Sequence, residues 1–148
     1  MAKIMVVDDE ENIRESVRDI LAAEGYDVEV ASNANEAWLK IEQRQVDLIL
    51  LDVMMPGMTV DKFIEKILQR YGQNNKTRII YISGVGFLNG QISKKDKIKH
   101  LTDLMTKLKG DSIKKLNVEG VVVDLLEKPF DKEGLLAKVS DVLGGLDV

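Results

Sequence analysis

Asp52 ends the apolar run Val46-Asp47-Leu48-Ile49-Leu50-Leu51 and is followed at once by Val53-Met54-Met55-Pro56-Gly57. A carboxylate so placed is carried by a buried strand to the loop at its carboxyl end, where open α/β sheets gather their ligands. Asp8 and Asp9 end Ile4-Met5-Val6-Val7 in the same way, Ser83 ends Ile79-Ile80-Tyr81-Ile82, and Lys128 ends the run from Val121 to Glu127. Strand ends thus deliver three carboxylates, a hydroxyl and an ammonium to one rim of a sheet. Carboxylates that converge repel one another, so one of them must have a raised pKa unless a cation intervenes. With no cysteine and a single histidine, the available ligands are hard oxygens, which suit Mg²⁺ and not zinc. Where such an ion holds phosphate oxygens, a carboxylate can attack phosphorus and form an acyl phosphate. Asp52 is the candidate acceptor. Lys128 offers a mobile positive charge and Ser83 a hydroxyl donor for the phosphoryl oxygens, and Gly84 and Gly86 leave space for the group.

The elements that must position these groups are legible as an alternation. Short apolar runs, near residues 3–7, 27–31, 47–51, 78–82 and 120–125, alternate with segments of helical periodicity, the pattern of repeated βα units and a parallel sheet. The helices show buried faces at Ile13, Val17, Ile20 and Leu21; at Ala37, Trp38 and Ile41; at Phe63, Ile64, Ile67 and Leu68; and at Leu135, Leu136, Val139, Val142 and Leu143. The expected fold is one doubly wound α/β domain over residues 1–148, its five strands in the flavodoxin-like order 2-1-3-4-5. The interval from Ser83 to Lys128 is 45 residues, about twice the 22 from Asp9 to Ala31. The excess is read as a helical insertion at 87–118, with Ile98, Leu101, Leu104, Met105 and Leu108 at helical spacing and a turn or second helix around Ile113 to Leu116.

At 148 residues, 45% hydrophobic and 31% charged, the chain has the size and composition of one soluble domain. The absence of cysteine excludes disulfides and thiol catalysis. No apolar stretch reaches the roughly 18–20 residues of a membrane span, and no leader precedes the first strand; a cytoplasmic location is the expectation. Between Gln91 and Val118, eight lysines stand against three aspartates, a local balance of +5 that leaves −9 on the rest of a chain of net charge −4. A basic run of this kind is most often a solvated face; the sharper reading is a dock for an acidic partner or a second protomer, without direct contact to nucleic acid.

Val6-Val7-Asp8-Asp9-Glu10, Leu51-Asp52-Val53-Met54-Met55-Pro56-Gly57, Ile82-Ser83-Gly84 and Lys128-Pro129-Phe130 resemble the four signature blocks of the receiver domain of two-component response regulators. Each block alone is weak; four in order, covering the chain except the insertion, are specific. The resemblance implies that Asp52 accepts a phosphoryl group from a phosphohistidine on a sensor histidine kinase or histidine phosphotransfer protein. It implies that Asp9, Asp52 and the Met54 carbonyl bind Mg²⁺ directly, with Asp8 acting through water, and that Ser83 and Lys128 sense the phosphoryl group. A cis Lys128-Pro129 peptide and an output face formed by the fourth helix, fifth strand and fifth helix are further implications. Three departures stand out: Leu125 replaces an aromatic residue, Val60 replaces a glycine, and the insertion falls on the output segment.

Plainer readings apply to each residue singly. An aspartate after a strand is commonly a helix cap or a solvated loop acid, and a strand-end serine or lysine is commonly surface. Trp38 and the Met54-Met55 pair read as packing residues, and His100 as structural or exposed in preference to a second phosphoryl carrier. Met54 and Val85 flank the phosphoryl position and are apolar, so they cannot orient an attacking water, and slow self-dephosphorylation without enzymatic turnover follows. Two other classes stay open: a phosphohydrolase working through an aspartyl phosphate, and an interaction module independent of phosphorylation.

Overall fold

A computed structural model describes residues 2–54, 58–84, 93–108 and 120–144, with the backbone course alone for 104–108. Five strands, β1 (Lys3–Val7), β2 (Asp27–Ala31), β3 (Leu48–Asp52), β4 (Arg78–Ser83) and β5 (Val122–Glu127), form one parallel sheet in the order β2-β1-β3-β4-β5. The connecting helices are α1 (Glu11–Ala23), α2 (Ala34–Gln43), α3 (Val60–Tyr71), α4 (Lys94–Leu108) and α5 (Lys132–Gly144). The fold class and strand order are those expected. Among the described residues, no helix is long and apolar enough to cross a membrane.

The apolar runs are continuous because the central strands are covered on both faces. Successive side chains alternate between two cores. Met5, Val7, Ile49, Leu51, Ile79 and Tyr81 join residues of α2, α3 and α4, whereas Ile4, Val6, Leu48, Leu50, Ile80 and Ile82 join residues of α1 and α5. The helical faces anticipated on α1, α3 and α5 are the ones that pack. On α2, Ala37 and Ile41 are buried while Trp38 is only partly covered, with Lys66 Nζ 5.6 Å from its ring centre. Helix starts carry their own acceptors: Asn33 takes a hydrogen bond from the Glu36 amide at 2.8 Å, and Thr59 from that of Lys62 at 3.4 Å.

Three positions differ from the sequence reading. β3 and β4 run further toward the rim than periodicity indicates, so Asp52 and Ser83 are the last residues of their strands and not loop residues. β5 shifts register between Ile79 and Ile80, which pair with Val122 and Asp124. Asp124 is therefore a buried acid inside an edge strand, held by the Leu125 amide at 2.8 Å, Lys138 Nζ at 3.1 Å and Lys94 Nζ at 3.7 Å. The helix bearing the basic run is itself the β4–β5 crossover, packed beside α3 and β5 with Ile98 and Leu101 buried. The second helix around Ile113 to Leu116, and Lys109, Lys114 and Lys115, lie outside the described residues.

Phe63 is fully buried on α3, so Phe63→Ala is expected to cost about 3–5 kcal/mol. Leu39, 66% exposed on α2, is the contrast: Leu39→Ala is expected to stay within about 0.5 kcal/mol. Urea unfolding followed by circular dichroism checks both.

Candidate functional site

β1 and β3 are neighbours, and Val7 pairs with Leu51. One residue further along each strand stand Asp8 and Asp52, side by side where the chain leaves the sheet. Asp8 is fully buried. Its Oδ1 accepts the Glu10 amide at 2.9 Å, and its carbonyl accepts Arg14 Nη1 at 2.9 Å, which tie the turn into the start of α1. Asp52 is 3% exposed, and its Oδ1 accepts the Met54 amide at 2.8 Å. Asp9 and Glu10 are exposed at the rim, and carboxylate oxygens of Asp8, Asp9, Glu10 and Asp52 all lie within 4.8 Å of one another.

Lys128 reaches into this group from the end of β5. Its Nζ is 3.0 Å from Glu10 Oε1, 3.1 Å from Asp8 Oδ2 and 3.3 Å from Asp52 Oδ2. Burial acts to lower the Lys128 pKa, but Glu10, Asp8 and Asp52 outweigh it and hold the ammonium above its ordinary range. One ammonium does not neutralise four carboxylates. Burial, opposed by the Met54 amide and reinforced by the charge of Asp8, pushes Asp52 up from 3.8 to about 6. Asp8 Oδ2, for all its closeness to Lys128, receives no directed hydrogen bond among the described residues. A buried carboxylate oxygen with an unused lone pair, inside a cluster of hard oxygens, is what a divalent cation requires. The donor set fits Mg²⁺. The single histidine, His100, is exposed on α4 and plays no part.

Ser83 is fully buried at the end of β4. Its carbonyl accepts the Lys128 amide at 2.7 Å, which links β4 to the strand that carries the lysine. Ile82 pairs with Asp52 and Ser83 with Glu127, so the hydroxyl stands one residue past the acceptor on the adjoining strand. The Lys128-Pro129 peptide is cis, as expected. Met54 corrects the packing reading: it is 50% exposed, two residues beyond the end of β3. Gly84 does not hold open a crowded spot, since a Cβ there would meet Lys128 Cδ at 3.9 Å, an ordinary contact. Met55, Pro56, Gly57, Val85 and Gly86 lie outside the described residues. Glu10 is the participant that strand-end reasoning missed. It belongs to the first motif, but only the fold brings its carboxylate to Lys128.

A doubly wound sheet with an acid pocket at its switch point, faced by a serine and a lysine from the next strands, is an open α/β domain with its ligand site at the carboxyl ends of the strands. Residues 4–106 match the family model for the response regulator receiver domain, and the chain belongs to that family. It is 28% identical over 144 residues to the transcriptional regulatory protein CpxR homolog of Haemophilus influenzae, covering 97% of this chain and 51% of that protein. It therefore spans about half the length of that relative. Over 55 residues, 37% of this chain and 23% of the relative, it is 51% identical to the transcriptional regulatory protein ResD of Bacillus subtilis. Among solved structures, the chemotaxis protein CheY4 of Vibrio cholerae superposes with a TM-score of 0.67 at 30% identity, covering 96% of this chain and 98% of that one.

Because folding raises the Asp52 pKa, the folded state holds that proton more tightly than the unfolded chain. The resulting stability is full below pH 3.8 and is lost as pH rises through about 6. Asp52→Asn is accordingly expected to be more stable than the metal-free wild type at neutral pH, by about 1–3 kcal/mol after solvent screening at the open rim. That advantage should vanish below the ordinary carboxylate range. Denaturant titrations across this pH window, with chelator present, test the sign.

Proposed function

We propose that this chain is a phosphoryl-accepting signalling switch of a two-component relay, in which Asp52 takes its phosphoryl group from a phosphohistidine of a sensor kinase or phosphotransfer protein. The observation that carries this reading is the cluster of Asp8, Asp9, Glu10 and Asp52, with Asp8, Glu10 and Asp52 all ion-paired to Lys128. In the transfer, an Asp52 carboxylate oxygen forms the new O–P bond. The P–N bond breaks, and its electron pair stays on the imidazole, which takes up a proton. Asp9, Asp52 and the Met54 carbonyl would hold Mg²⁺, with Asp8 acting through water, and the chemistry such an ion supplies is neutralisation of charge on the phosphoryl oxygens. Asp52 attacks as the carboxylate; with its pKa at about 6 in the bare pocket, it is already largely ionised at neutral pH. Lys128, held between Glu10 and Asp8, needs only a small swing to meet a phosphoryl oxygen beside Asp52. The Ser83 hydroxyl is the second donor.

On this reading the chain is an acceptor and not a turnover catalyst, it works in the cytoplasm, and its output is a change in the face made by α4, β5 and α5. The basic side of that face, with Lys94, Lys95 and Lys99 exposed, suits an acidic partner or a second copy of the chain.

Incubation with acetyl phosphate and Mg²⁺, followed by intact mass measurement, is expected to give an adduct of one phosphoryl group that is absent in Asp52→Asn. Continuous release of phosphate would point to a hydrolase instead, and no adduct at all to a module independent of phosphorylation. Exposed, apolar Met54 beside the acceptor cannot orient water, so the adduct is expected to outlast minutes; decay within seconds would contradict that part of the reading.

A further inference from the structure

Tyr81 stands two residues before Ser83 on β4 and so projects from the same face of the sheet. Its ring is fully buried in the layer shared with Ile98 and Leu101 of α4. Its hydroxyl lies 2.6 Å from Thr102 Oγ1 on that helix. Thr102 Oγ1 also donates to the Ile98 carbonyl at 2.8 Å. A hydroxyl has one proton to give; that of Thr102 goes to Ile98, so Tyr81 is the donor between the two. Burial, reinforced by the charges of Asp61 and Asp103, raises the Tyr81 pKa above its ordinary value, which keeps the hydroxyl protonated. Directly across on β5, Leu125 pairs with Tyr81 and has neither donor nor acceptor in its side chain.

We propose that the Tyr81–Thr102 hydrogen bond couples the acid pocket to α4, so that displacement of Ser83 when Asp52 is phosphorylated passes along β4 to that helix. This rests on the function proposed above. Two residues of extended strand are a stiff connection, and the bond at its end lies in an apolar layer. There it is either made or broken, since a stretched bond leaves the Tyr81 O–H buried and unsatisfied. α4 must therefore follow β4 or give up the bond, which is the behaviour of a two-position element and not of a continuously yielding one. What α4 presents outward is Lys95, Lys99 and the Lys94 end of its ion pair with Asp124. A shift of the helix repositions that charge.

The test treats the whole chain with acetyl phosphate and Mg²⁺, reads adduct occupancy by intact mass, and follows amide hydrogen exchange in peptides from residues 94–103. In the wild type, adduct formation should change exchange in this segment severalfold. In Tyr81→Phe, occupancy should be unchanged and the α4 response cut to less than half. An undiminished response in Tyr81→Phe at equal occupancy, or no α4 response in the adduct-bearing wild type, would overturn the coupling while leaving the acceptor role of Asp52 intact. Failure of the wild type to form any adduct removes the acceptor role and the coupling with it. Stability adds a second arm. Thr102→Val orphans the Tyr81 donor and should shift the folding equilibrium roughly tenfold toward the unfolded state, whereas Tyr81→Phe leaves Thr102 bonded to Ile98 and should cost less. Adding Tyr81→Phe to Thr102→Val should relieve part of the penalty; strict additivity would show that the two hydroxyls do not act as a pair and would also overturn the proposal.

Discussion

The structure turns on one electrostatic imbalance: buried and rim carboxylates from two adjacent strand ends crowd around a single ammonium. Asp8 and Asp52 are both buried, and charged acids in such positions persist only if something opposes them. Lys128 does so in part, bonding to three of the acids at once. The remainder appears as the raised pKa of Asp52. A pocket in that condition has a place for one more cation and for a group whose oxygens Lys128 can approach. Its chemistry follows from incomplete neutralisation.

The sheet makes this crowding unavoidable. In a parallel sheet all strands end on the same side, and β1 and β3 are the pair at which the connection changes direction, so helices do not close over the gap between them. The same architecture that buries Ile4, Val6, Leu48 and Leu50 without exposure aims the next residues of those strands at one point. Stability of the core and strain of the pocket are thus two results of one arrangement. Carboxylates at this rim cost folding energy at neutral pH, and the two apolar layers on either side of the sheet offset it.

Much of this was legible in the sequence because strand ends are marked by a change of polarity. Asp8, Asp52 and Ser83 each follow an unbroken apolar run, Lys128 follows one interrupted by Asp124 and Glu127, and a parallel sheet then leaves them little choice of location. Glu10 was not legible in the same way, since nothing local says that a helix-start acid will turn back toward a lysine 118 positions later. Asp124 was not legible because the register shift that places it among three partners is a property of the β4–β5 pairing and not of β5 alone. Met54 looks like core by residue type, but it stands past the end of β3 and is half exposed. The Tyr81–Thr102 bond belongs to tertiary packing entirely: a tyrosine in an apolar strand and a threonine in an amphipathic helix carry no mark of having found each other.

The central claim is that burial and the neighbouring Asp8 carboxylate hold the Asp52 pKa above its ordinary value, and that a cation bound among these acids would lower it. A carbon-detected NMR titration of the Asp52 carboxyl, with chelator and again with saturating Mg²⁺, tests it most directly. The midpoint is expected near 6 without the ion and well below that with it. A midpoint that Mg²⁺ leaves in place would contradict the account.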